Sequence, residues 1–252
     1  MAAPKPRLCL REATPADASA LAEIHFAAFG PFIVNQLLFP GGITADAKEK
    51  AASSMFSPPD PKSSSERLIV VAELVPEDGP PDGPGEIVAF AKWSLRRKPV
   101  PEEEWNAPQP PLQPDMLGEG GNIEVYDWFI GNLHRRLKEH VRGDAMLYLG
   151  TLVSSPHRQR LGAGAALLRW GADLADSLGL DIWLEASPQG YPLYKKHGYE
   201  DVAVVDSSFT ERWGVTKPEG HNWGENSALE VGGPVAEGSM RSVIMKRPKA
   251  SN

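Results

Sequence analysis

The segment Gln159-Arg160-Leu161-Gly162-Ala163-Gly164 has the residue types of an anion cradle, and it closes a longer stretch, LYLGTLVSSPHRQRLGAG, that begins at Leu147. Glycine at 162 and 164 removes the Cβ atoms that would hold a backbone away from a phosphate. From Ala165 to Leu178 the spacing is helical, so the unpaired amides of a helix N-terminus would face whatever lies in the turn. Those amides and the helix dipole favour negative charge by about 0.3–1 kcal/mol per charge. His157, Arg158 and Arg160 add positive side chains to the same rim, in a chain whose net charge of −7 would otherwise repel anions. The chemistry that suits this turn is the holding of a pyrophosphate. Two nucleotide fingerprints are excluded by their residues: no Gly-x-x-x-x-Gly-Lys-Ser/Thr is present, and Leu167 stands where a dinucleotide loop needs its third glycine or an alanine.

A second pattern lies further along the chain. Leu184-Glu185-Ala186-Ser187 precedes Tyr191-Pro192-Leu193-Tyr194-Lys195-Lys196-His197-Gly198-Tyr199. Together with Gln159, Gly162 and Gly164, which match Q/R-x-x-G-x-G/A, this resembles the paired motifs of the GNAT superfamily of N-acetyltransferases. The resemblance implies an α/β GNAT (acyl-CoA N-acyltransferase) fold, with a mixed central sheet of about seven strands flanked by helices. It implies an acetyl-CoA-dependent enzyme that moves the acetyl group directly to a primary amine in a ternary complex, with coenzyme A as product.

The same resemblance implies the site residues. Cofactor contacts are expected at Leu152, Val153 and Ser154, where the fourth strand splays from the fifth. More are expected along His157, Arg158, Gln159, Arg160, Leu161, Gly162, Ala163, Gly164 and Ala165, and at Ser187 and Tyr194. Pro156 suits the strand break because it cannot donate to a ladder. An amide near Leu152 is the expected oxyanion donor. Tyr194 holds the acid position, four residues before Gly198, where a phenol of ordinary pKa near 10 stays protonated at neutral pH. Tyr191 is its close competitor. The fourth strand, LYLGTLV, lacks the carboxylate that many relatives place there. Glu185 is therefore the tentative base, with Glu124, Asp127 or a water chain as alternatives. Ser187, Tyr199 and Ser154 depart from the common asparagine, phenylalanine and valine, each conservatively enough to keep the cofactor role.

Composition narrows the remaining classes. At 252 residues, 41% hydrophobic and 23% charged, the chain is able to bury a full core. The start, MAAPKPRLCLREA, lacks the apolar stretch of a secretory signal, and no run of 18 apolar residues spans a bilayer. A cytoplasmic or nucleocytoplasmic protein without membrane association is expected. The single Cys9 excludes an internal disulfide and a multi-cysteine zinc site. Histidines at 25, 134, 140, 157, 197 and 221 show no i, i+4 pairing, so no metal is expected. With 26 basic against 33 acidic residues, nucleic-acid binding is not expected, since phosphate contacts need a basic stripe. The expected partner is a small-molecule or peptide amine, attracted as a cation, and the protein itself is a monomer or homodimer. Two other classes compete: a non-catalytic acyl-CoA binding or sensing module, and a partner-binding scaffold.

The elements that must position these residues are read from hydrophobic periodicity. Strands are expected at residues 8–11, 68–74, 87–95, 147–153, 181–185, 199–206 and 242–246. Helices are expected at 15–29, 45–56, 126–141, 165–178 and 188–197, with Thr14 and Thr44 as N-caps. Leu167, Gly171, Leu174 and Leu178 are the expected buried stripe after the phosphate turn. Residues 76–85 read as a turn, and the proline-rich 99–121 as a mobile excursion. Arg96-Arg97-Lys98 and Arg135-Arg136 read as solvated faces. One domain over 1–252 is expected, with insertions at 96–144 and 213–238, the first of a kind many fungal-looking family members carry.

Overall fold

Runs rich in valine, isoleucine, leucine and aromatic residues form strands: β1 (Arg7–Glu12), β2 (Glu66–Val75), β3 (Glu86–Arg96), β4 (Met146–Ser154), β5 (Asp181–Ala186), β6 (Glu200–Ser208) and β7 (Ser239–Arg247). In the computed structural model, which describes residues 6–58, 63–76, 85–108 and 111–250, they join in one sheet of order β1-β2-β3-β4-β5-β7-β6. Neighbours are antiparallel except β4 and β5, which run parallel from Met146 opposite Asp181 to Leu149 opposite Leu184. The expected mixed sheet with a central parallel pair is thus observed. Most of the turn expected at 76–85 lies outside the described residues, as do parts of the loops at 57–65 and 99–121.

Helices cover both faces: α1 (Ala18–Phe29), α2 (Ile33–Leu38), α3 (Ala45–Met55), α4 (Glu102–Trp105), α5 (Ile123–Tyr126), α6 (Asn132–Val141), α7 (Ala163–Leu178), α8 (Tyr191–Lys196), α9 (Phe209–Trp213) and α10 (Leu229–Gly232). Thr14 and Asp17 form a capping box on the 3₁₀ turn before α1, and Thr44 Oγ1 accepts from the Ala47 amide at the start of α3. One face of the sheet packs Trp93, Leu147, Leu149, Ile182 and Leu184 against Leu167 and Leu168 of α7. The other packs Val71, Phe90 and Val153 under Leu21 and Ala22 of α1 and Met55 of α3. Each valine, leucine, isoleucine, phenylalanine or methionine among them contributes about 1.5–3 kcal/mol on burial. Gly171 is required by packing, because a Cβ there would lie 2.3 Å from the Trp93 indole.

Several expectations are corrected. α7 starts at Ala163, two residues early, and Leu178 is exposed while Ala163, Leu168 and Ala175 join the buried stripe. The expected helix 126–141 is three pieces, α5, a π-turn (Asp127–Gly131) and α6. A π-turn carries one extra residue and so rotates the downstream helix by roughly 100° relative to an unbroken α-helix. Arg136 consequently faces the sheet rather than solvent. Arg96 is buried too, its guanidinium donating to the carbonyls of Asp144 and Arg142. Nor is the 99–121 stretch a loose excursion. Lys50 pairs with Asp115 at 2.8 Å, the Asp46 carboxylate accepts from the Glu119 amide, and Val100 bonds Gly143. The segment from α9 to β7 is gathered by Arg241, fully buried, which forks onto Asp206 and donates to the carbonyls of Ser227, Gly232, Gly233 and Pro234.

Candidate active site

β4 leaves β5 at a glycine. Lys92 pairs with Thr151 and Trp93 with Leu149, so Gly150 is the extra residue of a β-bulge, one position beyond the last β4–β5 pair. A bulge bends its strand and sharpens the local twist. The break therefore comes earlier than Pro156, which begins a 3₁₀ turn (Pro156–Arg158) past the strand's end. Beyond Gly150, β4 is bonded only to β3. The Ser155 amide donates to the Val88 carbonyl, so strand alternation turns the amides of Thr151 and Val153 toward β3 and those of Leu152 and Ser154 into the gap. Of the three expected contacts, Leu152 and Ser154 present free backbone. Val153 does not, and its side chain enters the core beneath α1.

The gap leads to the phosphate-type turn. Among the described residues, no backbone amide from Gln159 to Ala165 has a hydrogen-bond partner, the first helical bond of α7 being Ala166 to Gly162. Arg160 (φ +66°) and Gly162 (φ +78°) adopt the left-handed region. For Arg160 this costs about 1–2 kcal/mol, and the alternation makes a concave nest of N–H groups. A Cβ on Gly162 would meet nothing within 4 Å, and one on Gly164 only Leu193 Cδ2 at 3.4 Å. The protein's own packing leaves room for a methyl at 164, so the glycine there keeps open the space in front of the helix. Leu161 is exposed on the rim. Arg158 contributes less than expected, because its guanidinium is bidentate on Glu86 at 2.8 Å.

On the α7 side, Ser187 Oγ accepts from the Gly190 amide and shapes the turn into α8. Tyr194 comes next, 8% exposed, with its ring edge-on to Tyr199. Burial, and secondarily the phenol of Tyr148, push its hydroxyl well above the usual tyrosine range. The Tyr194 hydroxyl has no partner among the described residues and, unlike that of Tyr199, is not enclosed. Tyr191 is committed elsewhere: its hydroxyl donates to Asp201 at 2.9 Å.

The opposite face of the gap carries the carboxylate. Glu185 is the first residue of β5 beyond the last β4 pair. Its side chain is 7% exposed, and Oε1 accepts from Arg136 Nη2 at 2.9 Å and from Ser242 Oγ. Among the described residues Oε2 has no hydrogen-bond partner. A small cleft bordered by Leu137, Tyr148, Leu184, Glu185 and Ile244 lies there. The alternatives sit elsewhere: Glu124 is exposed and pairs with Arg212, and Asp127 is exposed near Arg135.

Sequence patterns did not single out Lys92, and they place His25 only in the packing stripe of the first helix, with Ala18, Leu21 and Ala22. Lys92, opposite Thr151, is largely buried and forms no ion pair among the described residues; burial, then the charge of Arg67, lowers its pKa. His25 of α1 lies edge-on to Phe26, and burial followed by repulsion from Lys92 brings it down to about 4. Only three-dimensional packing brings these two together.

Among the described residues, no group of three or more His, Cys, Asp or Glu is arranged to hold a metal, and no helix is long and apolar enough to cross a membrane. No protein-family model matches the sequence, and no curated protein matches it. Solved structures do. A Corynebacterium glutamicum crystal structure of histone acetyltransferase HPA2 and related acetyltransferase superposes with a TM-score of 0.50 at 18% identity, over 98% of each chain. Two others are a mosquito arylalkylamine N-acetyltransferase like 5b (12% identity, 95% and 99% covered, TM-score 0.49) and Arabidopsis thaliana NAA60 in complex with a bisubstrate analogue (13%, 95% and 97%, TM-score 0.46). The first likeness and the sheet order establish the GNAT fold for this chain.

Proposed function

We propose that this GNAT-fold chain is an acetyl-CoA-dependent N-acetyltransferase acting on a primary amine in a ternary complex, built as a single domain. The observation that carries the reading is a pair of unpartnered amide runs close together in sequence: Leu152 and Ser154 in the gap, and Gln159–Ala165 at the start of α7. Amides in that arrangement fit a pantetheine arm and a pyrophosphate in series. Bound acetyl-CoA would supply the thioester whose acetyl group is transferred.

The chain's residues divide the proton traffic between two faces. Tyr194, on the α7 and α8 side, stays protonated and can donate its hydroxyl proton to a departing thiolate. Glu185, on the α6 side, offers Oε2 to take a proton from an arriving ammonium. The Leu152 amide is free to stabilise charge on a carbonyl oxygen at the gap, a donor typically worth about 10²-fold or more in rate. Amine and thioester would thus enter the gap from opposite faces and meet at the carbonyl carbon, where an N–C bond forms, the C–S bond breaks, the amine's proton passes to Glu185 and the thiolate takes one from Tyr194.

The test is calorimetric titration with acetyl-CoA, then turnover across an amine library. Micromolar binding with coenzyme A release on amine addition is the expected result. Absence of micromolar binding would defeat the reading, and binding with no turnover on any amine would leave a non-catalytic acyl-CoA module.

A further inference from the structure

We propose that Arg136 is a positioning residue for Glu185, so that the helical segment between β3 and β4 supplies part of the proton-accepting machinery. This rests on the reading of Glu185 as base. Arg136 arrives from α6 and is 17% exposed, with Nη2 2.9 Å from Glu185 Oε1. Ser242 of β7 donates to the same oxygen from the far side. With both bonds on Oε1, the carboxylate plane is fixed and Oε2 is left without a hydrogen-bond partner among the described residues, in a side chain that borders a narrow crevice with Tyr148 and Leu137.

Three features favour positioning over a mere strut. The clamp is one-sided: both donors take one oxygen, whereas a bidentate guanidinium, as Arg247 makes on Asp176, occupies both. Arg136 Nε is also buried without a partner, a cost that a purely structural pair would shed by rotating into the fork. Finally, the π-turn at Asp127–Gly131 sets the face that α6 presents, and π-turns concentrate at functional sites. His140 stacked near Trp183, and Leu137 beside Tyr148, keep α6 on the sheet in this orientation.

The experiment compares Arg136→Met, Arg136→Lys and Glu185→Gln in the full chain, with acetyl-CoA affinity measured by calorimetry on each. Arg136→Met should lower kcat on the order of 10- to 100-fold, as misplaced catalytic groups do. KM for both substrates should hold within about twofold, and Arg136→Lys should recover much of the loss. An unchanged kcat in Arg136→Met, with Glu185→Gln inactive, would show Arg136 to be a strut only and overturn the proposal. Normal turnover in Glu185→Gln would remove the base assignment and this inference together, while the acetyl-CoA titration would still stand or fall separately. Should Arg136→Met fail to fold, Ser242→Ala removes one bond to the same oxygen. Its kcat should fall by roughly 3- to 10-fold, about the worth of one hydrogen bond, and no fall would overturn the clamp.

Discussion

The two halves of the proposed site, one for the acyl donor and one for the acceptor, are built from different materials. The donor half, from Gly150 to Ala165, is backbone contiguous in sequence: a bulge, a free strand edge, a left-handed nest and a helix N-terminus. The acceptor half consists of side chains brought from far apart, with Arg136 49 positions and Ser242 57 positions from Glu185. Backbone groups cannot be substituted away, so a donor site made of them tolerates sequence drift. A side-chain site can be re-specified one residue at a time, which is where a change of acceptor would be written.

The sharpest way to break this contrast is to strike a proton carrier on each face. Glu185→Gln and Tyr194→Phe should each lower turnover by about 10²-fold or more, with acetyl-CoA affinity unchanged, since neither supplies a backbone contact. Loss of affinity in either would merge the two halves.

Acid should distinguish them next, because it titrates side chains and not amides. His25 is held near 4 in the folded chain against 6.5 for a free imidazole, so the unfolded chain binds the proton first. Its contribution is complete above pH 6.5 and is lost as the pH falls toward 4, by up to roughly 3 kcal/mol. Urea unfolding at several pH values should show this slope, and His25→Gln should flatten it. An unaltered slope would place the acid sensitivity elsewhere.

The smallest expected effect lies in the donor half. Gly164→Ala should leave stability unchanged or raise it by up to about 1 kcal/mol, as alanine favours a helix. Because the new methyl intrudes where the anion would lie, acetyl-CoA affinity should drop about tenfold. Equal affinity would mean that the ligand does not approach α7 at that residue.

This difference in material also explains what could be read from the sequence. The strands, the parallel pair and the glycine turn show in local periodicity and spacing, which is where contiguous sites leave their mark, whereas the Tyr194 position is reached only through the resemblance to the GNAT motifs. The gap is implied by the same resemblance, but its cause is not. Pro156 looked like the break, whereas the bulge at Gly150 is visible only in the register of β3 against β4. An unbroken 3.6-residue period carries Arg136 to the outer, solvated face, whereas the π-turn shifts that period by one residue and turns it onto Glu185. Arg241 gave no local signal at all. Its partners are mostly carbonyls of a glycine-rich segment, and nothing in composition marks a carbonyl as the destination of a guanidinium.

Gly150 has a consequence for the chain's solubility. By parting β4 from β5 it creates two unpaired strand edges in the middle of a sheet, where proteins ordinarily keep none. Such edges invite any extended peptide to dock, including another copy of this chain. A ligand lying in the slot would act as a chaperone for the fold as well as a reactant, making the empty form the one prone to aggregate. Removing the extra residue would zip the strands together and produce a sturdier but vacant protein, so stability and use pull this single glycine in opposite directions.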